Sequence, residues 1–283
     1  MGRVAIVTDS VSDLTAAEAA AHGIGIIPLY VRFGDKEFRA GVDLSLDEFW
    51  ARMLAPDAPF PTTAAPSPGN FKTFFEEVLA SGADSIVCVT VGSKLSATFK
   101  SAEVAVQGLA GPEIHLVDSA SASMGVGILA LVGAELAAEG RPAAEIAATL
   151  RSRVRDIHLY VALDTLEYLR KGGRISPARA AIGTVLSVKP IITVTDGEVV
   201  TADRVRTRAK ARERVIELLT ARPVERIAIL HTMTPDIEAF RDEVVARLPG
   251  GVDPTRVTTT LAGASVGPHV GPGCFGGVVL LAR

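Results

Sequence analysis

The alternation of apolar and polar positions divides the chain into two regimes. In the first half, short apolar runs alternate with segments of helical period. Residues 4–8 read as a strand, 16–22 as a short helix, and 24–33 as a second extended run before a Gly34-Asp35 turn and residues 36–39. Ser45-Leu46-Asp47-Glu48 has the spacing of a capping box and opens a helix ending near Ala55. Residues 56–69 hold five prolines and are expected to form a surface connection. At the end of that stretch Ser67 can cap a helix and Pro68 fits its first position. Phe71, Phe74, Phe75 and Val78 then fall on one face. A continuous apolar strand at 85–90 is followed by a helix at about 96–107 and a strand at 113–118. Helices at 121–139 and 143–155 close the half. Strands that alternate with helices imply a mostly parallel sheet covered on both faces.

The second half has a different rhythm. A strand at 158–163 precedes a short helix at 165–171 that Gly172-Gly173 ends. Residues 189–195 and 198–205 flank Asp196-Gly197, a strong hairpin signal. Helices at 207–221 and 236–248 alternate with strands at 226–231, 257–263 and 275–282, which suggests a mixed or antiparallel α/β sheet. At 283 residues the chain exceeds the usual single domain. The fold class expected is therefore α/β in two domains, 1–155 and 156–283.

Composition narrows the chemistry. Hydrophobic residues make up 48% and mean hydropathy is +0.33, yet aromatics are only 5%, so the core is built from Ala, Val, Leu and Ile. No stretch has the uncharged apolar length of a membrane span, and 120–138 breaks its apolar run with Ser and Gly, as a buried core helix does. The first ten residues lack a signal-peptide layout, and Ile6 stands where a myristoylation signal needs Ser or Thr. These features imply a cytoplasmic protein without integral membrane insertion, though compatible with transient contact at a membrane surface. Net charge is -3 with both signs mixed, which gives no nucleic-acid footprint. Cys88 and Cys274 sit in apolar runs and read as buried thiols. With the five His residues they show no metal-ligand spacing.

Three enzyme-like motifs fail on context. Gly271-Pro272-Gly273-Cys274-Phe275-Gly276 matches a dinucleotide loop, but it leads into a strand where a helix is required. Gly263-Ala264-Ser265-Val266-Gly267 matches a nucleophile elbow, yet Pro268 follows at once and no Asp or Glu comes after Asp253. Gly172-Gly173-Arg174-Ile175-Ser176 lacks the Walker lysine. What remains are polar groups in loops beside strand ends, where open α/β sheets bind ligands. These are Thr62-Thr63, then Ser93, Ser96 and Thr98, then Arg204, Arg206 and Arg208, and finally His269 in a Gly-rich loop. Each has a plainer reading: Ser96 as a helix N-cap, Thr63 as a loop threonine, Arg206 as a solvated charge, His269 as structural. If the strand continues past Val205, the three arginines share one face.

Taken together, these positions fall inside a series of blocks. Val7-Thr8-Asp9-Ser10-Val11-Ser12-Asp13-Leu14 opens the series, followed by Thr63-Ala64-Ala65-Pro66-Ser67-Pro68-Gly69 and Ser93-Lys94-Leu95-Ser96-Ala97-Thr98. Val117-Asp118-Ser119, the run Leu169-Arg170-Lys171-Gly172-Gly173-Arg174-Ile175-Ser176, and Lys189-Pro190-Ile191 come next. Arg206-Thr207 and His269-Val270-Gly271-Pro272-Gly273 complete the order. Over essentially the whole chain the sequence resembles the DegV family, which includes the fatty-acid-binding subunits of bacterial fatty acid kinase.

The resemblance implies a carrier that encloses one long-chain fatty acid and presents its carboxylate to a separate ATP-dependent kinase. It implies no cofactor and no catalytic residue in the chain itself. Thr63 and Ser96 are implied as carboxylate ligands with His269 nearby, and Arg206 as the residue that works with the kinase. The sequence departs from the family's T-S-Q-P-S and L-S-G-T patterns at Ala64-Ala65 and at Ala97, which bears on the head-group donors. The alternative from the residues alone is a stand-alone enzyme or a sensor for a small anionic metabolite, bound by the cluster Arg204, Arg206 and Arg208.

Overall fold

The computed structural model describes residues 2–175 and 188–283, and the Ser176 end of the L-R-K-G-G-R-I-S run lies outside them. The chain forms two compact units. The first comprises Met1–Val154 with Gly263–Ser265, and the second comprises Arg155–Ala262 with Val266–Arg283.

In the first unit, β1 (Val4–Asp9) and β2 (Ile24–Ile27) belong to a parallel sheet, while β3 (Tyr30–Phe33), β4 (Lys36–Arg39) and β5 (Thr62–Ala64) form a small antiparallel one. With β6 (Ser85–Thr90) and β7 (Glu113–Asp118) the parallel sheet has the order β2-β1-β6-β7. Its central strands β1 and β6 are buried on both faces, as strands covered by helices on two sides must be. Ala5, Val7, Ile86 and Cys88 join Phe71, Phe75 and Ala102 of the helices Pro68–Ala80 and Thr98–Gln107 in one core. Ile6 points the other way, toward Gly133 of the helix Met124–Ala138. That helix is buried on every side from Met124 to Ala134, as its continuous apolar sequence requires. The caps form as their spacing predicts: Ser45 and Glu48 bond reciprocally, and Ser67 does so with Asn70 behind Pro68.

Two local expectations change. The extended run 24–33 is two strands in two different sheets. Pro28 separates them, and the amide of Leu29 turns to donate to Ser10 Oγ at 2.8 Å. The proline-rich connection 56–69 is not wholly irregular, because three residues without proline, Thr62–Ala64, pair with β3 as an edge strand.

In the second unit, β8 (Ile157–Ala162), β9 (Lys189–Thr195), β10 (Glu198–Val205), β11 (Val224–His231), β12 (Val257–Leu261) and β13 (Phe275–Leu281) form one mixed sheet. Its order is β10-β9-β8-β13-β11-β12, with only β11 and β12 parallel. Asp196 and Gly197 both adopt positive φ, as a two-residue hairpin turn demands. Helices Arg208–Leu219 and Ile237–Ala246 pack Val215, Ile216, Leu219, Phe240 and Val244 against Ile227, Ile229, Phe275 and Val279. Leu159, Val161, Ala228, Leu230 and Val278 point from the opposite face of the same strands, and all are buried. Among the described residues no helix is long and apolar enough to cross a membrane.

Candidate functional site

The loops at the carboxyl ends of the parallel strands are held by carboxylates. Asp9, fully buried at the end of β1, accepts the amide of Val11 at 2.9 Å with Oδ1 and that of Val91 at 2.8 Å with Oδ2. Asp13 accepts the amide of Gly263 at 2.8 Å and the hydroxyl of Ser123 at 2.5 Å. Ser10 Oγ lies 2.8 Å from Ser265 Oγ, so the segment Gly263–Ser265 is fixed to the first unit at both ends. Burial pushes the Asp9 carboxyl up to about 6 and that of Asp13 up to about 7, against the bonds that favour their charged forms. The block Val7–Leu14 is thus a clamp, a role that sequence reasoning had not assigned to its two acids. The signal was present as two carboxylates flanking an apolar strand end.

Asp118 clamps the neighbouring loop. Its Oδ1 accepts the amides of Ser93 at 3.1 Å and Ala120 at 2.9 Å, while Gly92 N–H donates to the Ser121 carbonyl at 2.8 Å. Ser96 stands in the loop so fixed, half-buried, with Oγ 2.8 Å from Thr98 Oγ1 and accepting the Thr98 amide at 3.3 Å. It is not the N-cap: the helix begins at Thr98 and Ala97 holds the cap position. Ala97 is in the right-handed region at φ -73°, so this backbone does not call for glycine there. Thr63 is half-buried on β5, opposite Val31. Thr63 and Ser96 therefore belong to the first unit.

His269 and Arg206 belong to the second unit. His269 lies not in an irregular loop but in a single helical turn, Gly267–Val270, with Pro268 near its start. Ser265, the elbow-like serine, is buried and bonded to Ser10. Burial, with the nearby Arg174 charge adding to it, pushes the His269 imidazole down to about 3, so it is neutral at physiological pH. It can then donate or accept a hydrogen bond but brings no charge.

The run Leu169–Ile175 explains why His269 sits where it does. The helix Glu167–Lys171 ends in a Schellman motif: Gly173, at φ +70°, donates to the Arg170 carbonyl at 3.1 Å, and Arg174 donates to that of Leu169 at 2.9 Å. A Cβ on Gly172 would stand 2.2 Å from His269 Nδ1. One glycine makes the turn and the other makes room for the imidazole. Arg206 follows β10, which stops at Val205, so the three arginines do not share one strand face. Arg204 is the penultimate residue of the strand, Arg206 lies in the bend that follows it, and Arg208 begins the next helix. Cys88 and Cys274 are buried, and burial pushes the Cys274 thiol up to about 12. Among the described residues no cluster of His, Cys, Asp or Glu is placed to hold a metal.

The chain is thus an α/β protein of two units, one with a parallel sheet and clamped hydroxyl-bearing loops and one with a mixed sheet and a neutral histidine. The family model described as "Uncharacterised protein, DegV family" matches residues 3–282. A DegV domain-containing protein of Streptomyces coelicolor is 36% identical over 98% of both chains. The solved structure of a DegV family protein from Thermus thermophilus, described as fatty acid binding, is 34% identical and superposes with a TM-score of 0.89 over 99% of this chain and 100% of that one. DegV from Bacillus subtilis, described as a fatty acid binding protein, is 29% identical with a TM-score of 0.88 over 99% of each chain. The chain belongs to the DegV family.

Two outcomes test the clamp and the glycine. The folded-state value of Asp13 lies above its ordinary 3.8, so the protonated carboxyl contributes stability that is complete below 3.8 and lost as pH rises through about 7. Asp13→Asn keeps an acceptor for Gly263 and cannot ionise. Urea denaturation of both proteins across that window should show the variant gaining on the wild type as pH rises, and a constant difference would contradict the assignment. Gly172→Ala should cost about 1–3 kcal/mol, because the added methyl meets the His269 ring. A neutral substitution would show that the ring gives way freely.

Proposed function

We propose that this protein binds a long-chain fatty acid and presents its carboxylate to a separate ATP-dependent kinase for acyl-phosphate formation. The observation that carries the binding part is the close likeness, over nearly the full chain, to the Thermus thermophilus protein described as fatty acid binding. Composition agrees, since an aliphatic, aromatic-poor chain suits a lipid tail better than it suits polar catalysis. Burying some fourteen methylenes is worth about 11 kcal/mol before the cost of association. Hydrogen bonds to the carboxylate add about 1.5–3 kcal/mol each, partly cancelled by its desolvation. The tail then supplies affinity and the polar groups fix which end is presented.

Thr63 and Ser96 are proposed as the carboxylate ligands of the first unit, with loop 92–98 fixed by Asp118 so that the Ser96 hydroxyl loses little freedom on binding. His269 is proposed as a neutral hydrogen-bonding group for the head group on the second unit. Arg206 is proposed as the partner-facing cation. Its neighbours Arg212 and Arg214 pair with Glu243 and Asp203, whereas Arg206 makes no ion pair among the described residues. A guanidinium so left can fork onto a carboxylate of the kinase or onto the phosphate in transfer.

Protein refolded without lipid should gain thermal stability on addition of a long-chain acid, because the ligand binds only the native state. The absence of a shift across several chain lengths would end the carrier reading. Thr63→Ala with Ser96→Ala should abolish most kinase turnover while costing about 1–3 kcal/mol per residue in affinity. Full turnover in the double variant would remove both residues from the head-group site. Arg206→Lys should retain normal lipid content yet lose most turnover, since lysine cannot reproduce the bidentate geometry. Unchanged turnover would return Arg206 to a solvated charge.

A further inference from the structure

The second unit has a cleft that the fatty-acid reading does not use. It has a volume of about 260 Å³ and is lined by Arg208, Arg212, Thr234, Asp236, Phe240 and Phe275. The two phenylalanines meet edge to face with centroids 5.3 Å apart. Each carries a guanidinium over its ring: Arg208 Cζ lies 4.6 Å from the Phe275 centroid and Arg212 Cζ lies 5.1 Å from that of Phe240. Such stacking leaves the outer face of each planar guanidinium turned away from the ring.

The two cations are not equivalent. Arg212 is neutralised, with Nε donating to Glu243 at 3.0 Å and Nη1 lying 3.5 Å from Asp236. Arg208 is half-buried and donates Nη1 to the Gly273 carbonyl at 2.9 Å, but it pairs with no carboxylate among the described residues. Most of its N–H donors are unused. Arg208 is therefore the one guanidinium of the cleft without a carboxylate partner among the described residues, above an aromatic floor, and a single carboxylate supplies one. A dianion would bring its second charge against Asp236, whose side chain stands 57% exposed at the rim. Thr234 spends its proton on the Cys274 carbonyl at 2.8 Å and so adds no donor for a more highly charged group.

We propose that this cleft binds a small monocarboxylate with a flat or branched apolar body. The carboxylate forks onto Arg208, and the body packs against the guanidinium faces and the phenylalanine edges. The site lies within the second unit and stands whether or not the protein carries a fatty acid.

The test is titration of the full chain, with any bound lipid retained, by calorimetry and ligand-observed NMR using phenylacetate, acetate and phenyl phosphate. Phenylacetate should bind in the millimolar range, as expected for so small a ligand, and acetate and phenyl phosphate more weakly. Arg208→Gln should weaken phenylacetate by about fivefold or more. Asp236→Asn should strengthen phenyl phosphate by about threefold or more and phenylacetate by less, a gain that no unfolding can mimic. Undiminished binding in Arg208→Gln, no binding at about ten times the expected dissociation constant, or release of bound lipid by phenylacetate would each overturn the proposal. If Arg208→Gln does not fold, the Asp236→Asn comparison decides alone, and equal affinities for phenyl phosphate in variant and wild type would reject the site.

Discussion

The structure of the first unit depends on carboxylates buried where loops must be rigid. Asp9 joins the turn after β1 to the turn after β6 through two backbone amides, and Asp13 joins the same turn to Ser123 and to Gly263. Desolvation works against both charges, and burial is tolerated because each oxygen has a partner. Four chain segments distant in sequence are thereby fixed with few residues. Among them is the loop that carries Ser96, which Asp118 secures from its other side. A hydroxyl on such a loop does not have to be ordered when a ligand arrives.

The second unit fixes its polar group differently. His269 is placed by backbone geometry, through a one-turn helix on its own side and a glycine that leaves space on the other. Its neutrality follows from burial. The Leu169–Ile175 run, the most specific block in the sequence, thus has a physical role in shaping the helix end against that ring.

Much of this was legible in the residues. The capping boxes at Ser45 and Ser67, the Asp196-Gly197 hairpin and the strand Ser85–Thr90 with its apolar run each carry a local physical cause, and each forms as expected. Elements that depend on distant partners were not legible. Strand Thr62–Ala64 exists only because β3 lies beside it, and the division of 24–33 between two sheets depends on where Leu29 finds its acceptor. The clamping acids belong to the same class. Asp13 is bonded to a residue 250 positions away, a partner that no local pattern encodes. The candidate hydroxyls, histidine and arginine were found through the order of whole blocks, since each alone has an ordinary structural reading.

The central claim is that this chain carries a fatty acid. Mass spectrometry of an organic extract of the purified, undenatured protein tests it most directly. The account predicts about one long-chain acid per chain, since one buried tail supplies most of the binding energy. An extract free of fatty acid, from protein that also fails to take one up when it is offered, would contradict it.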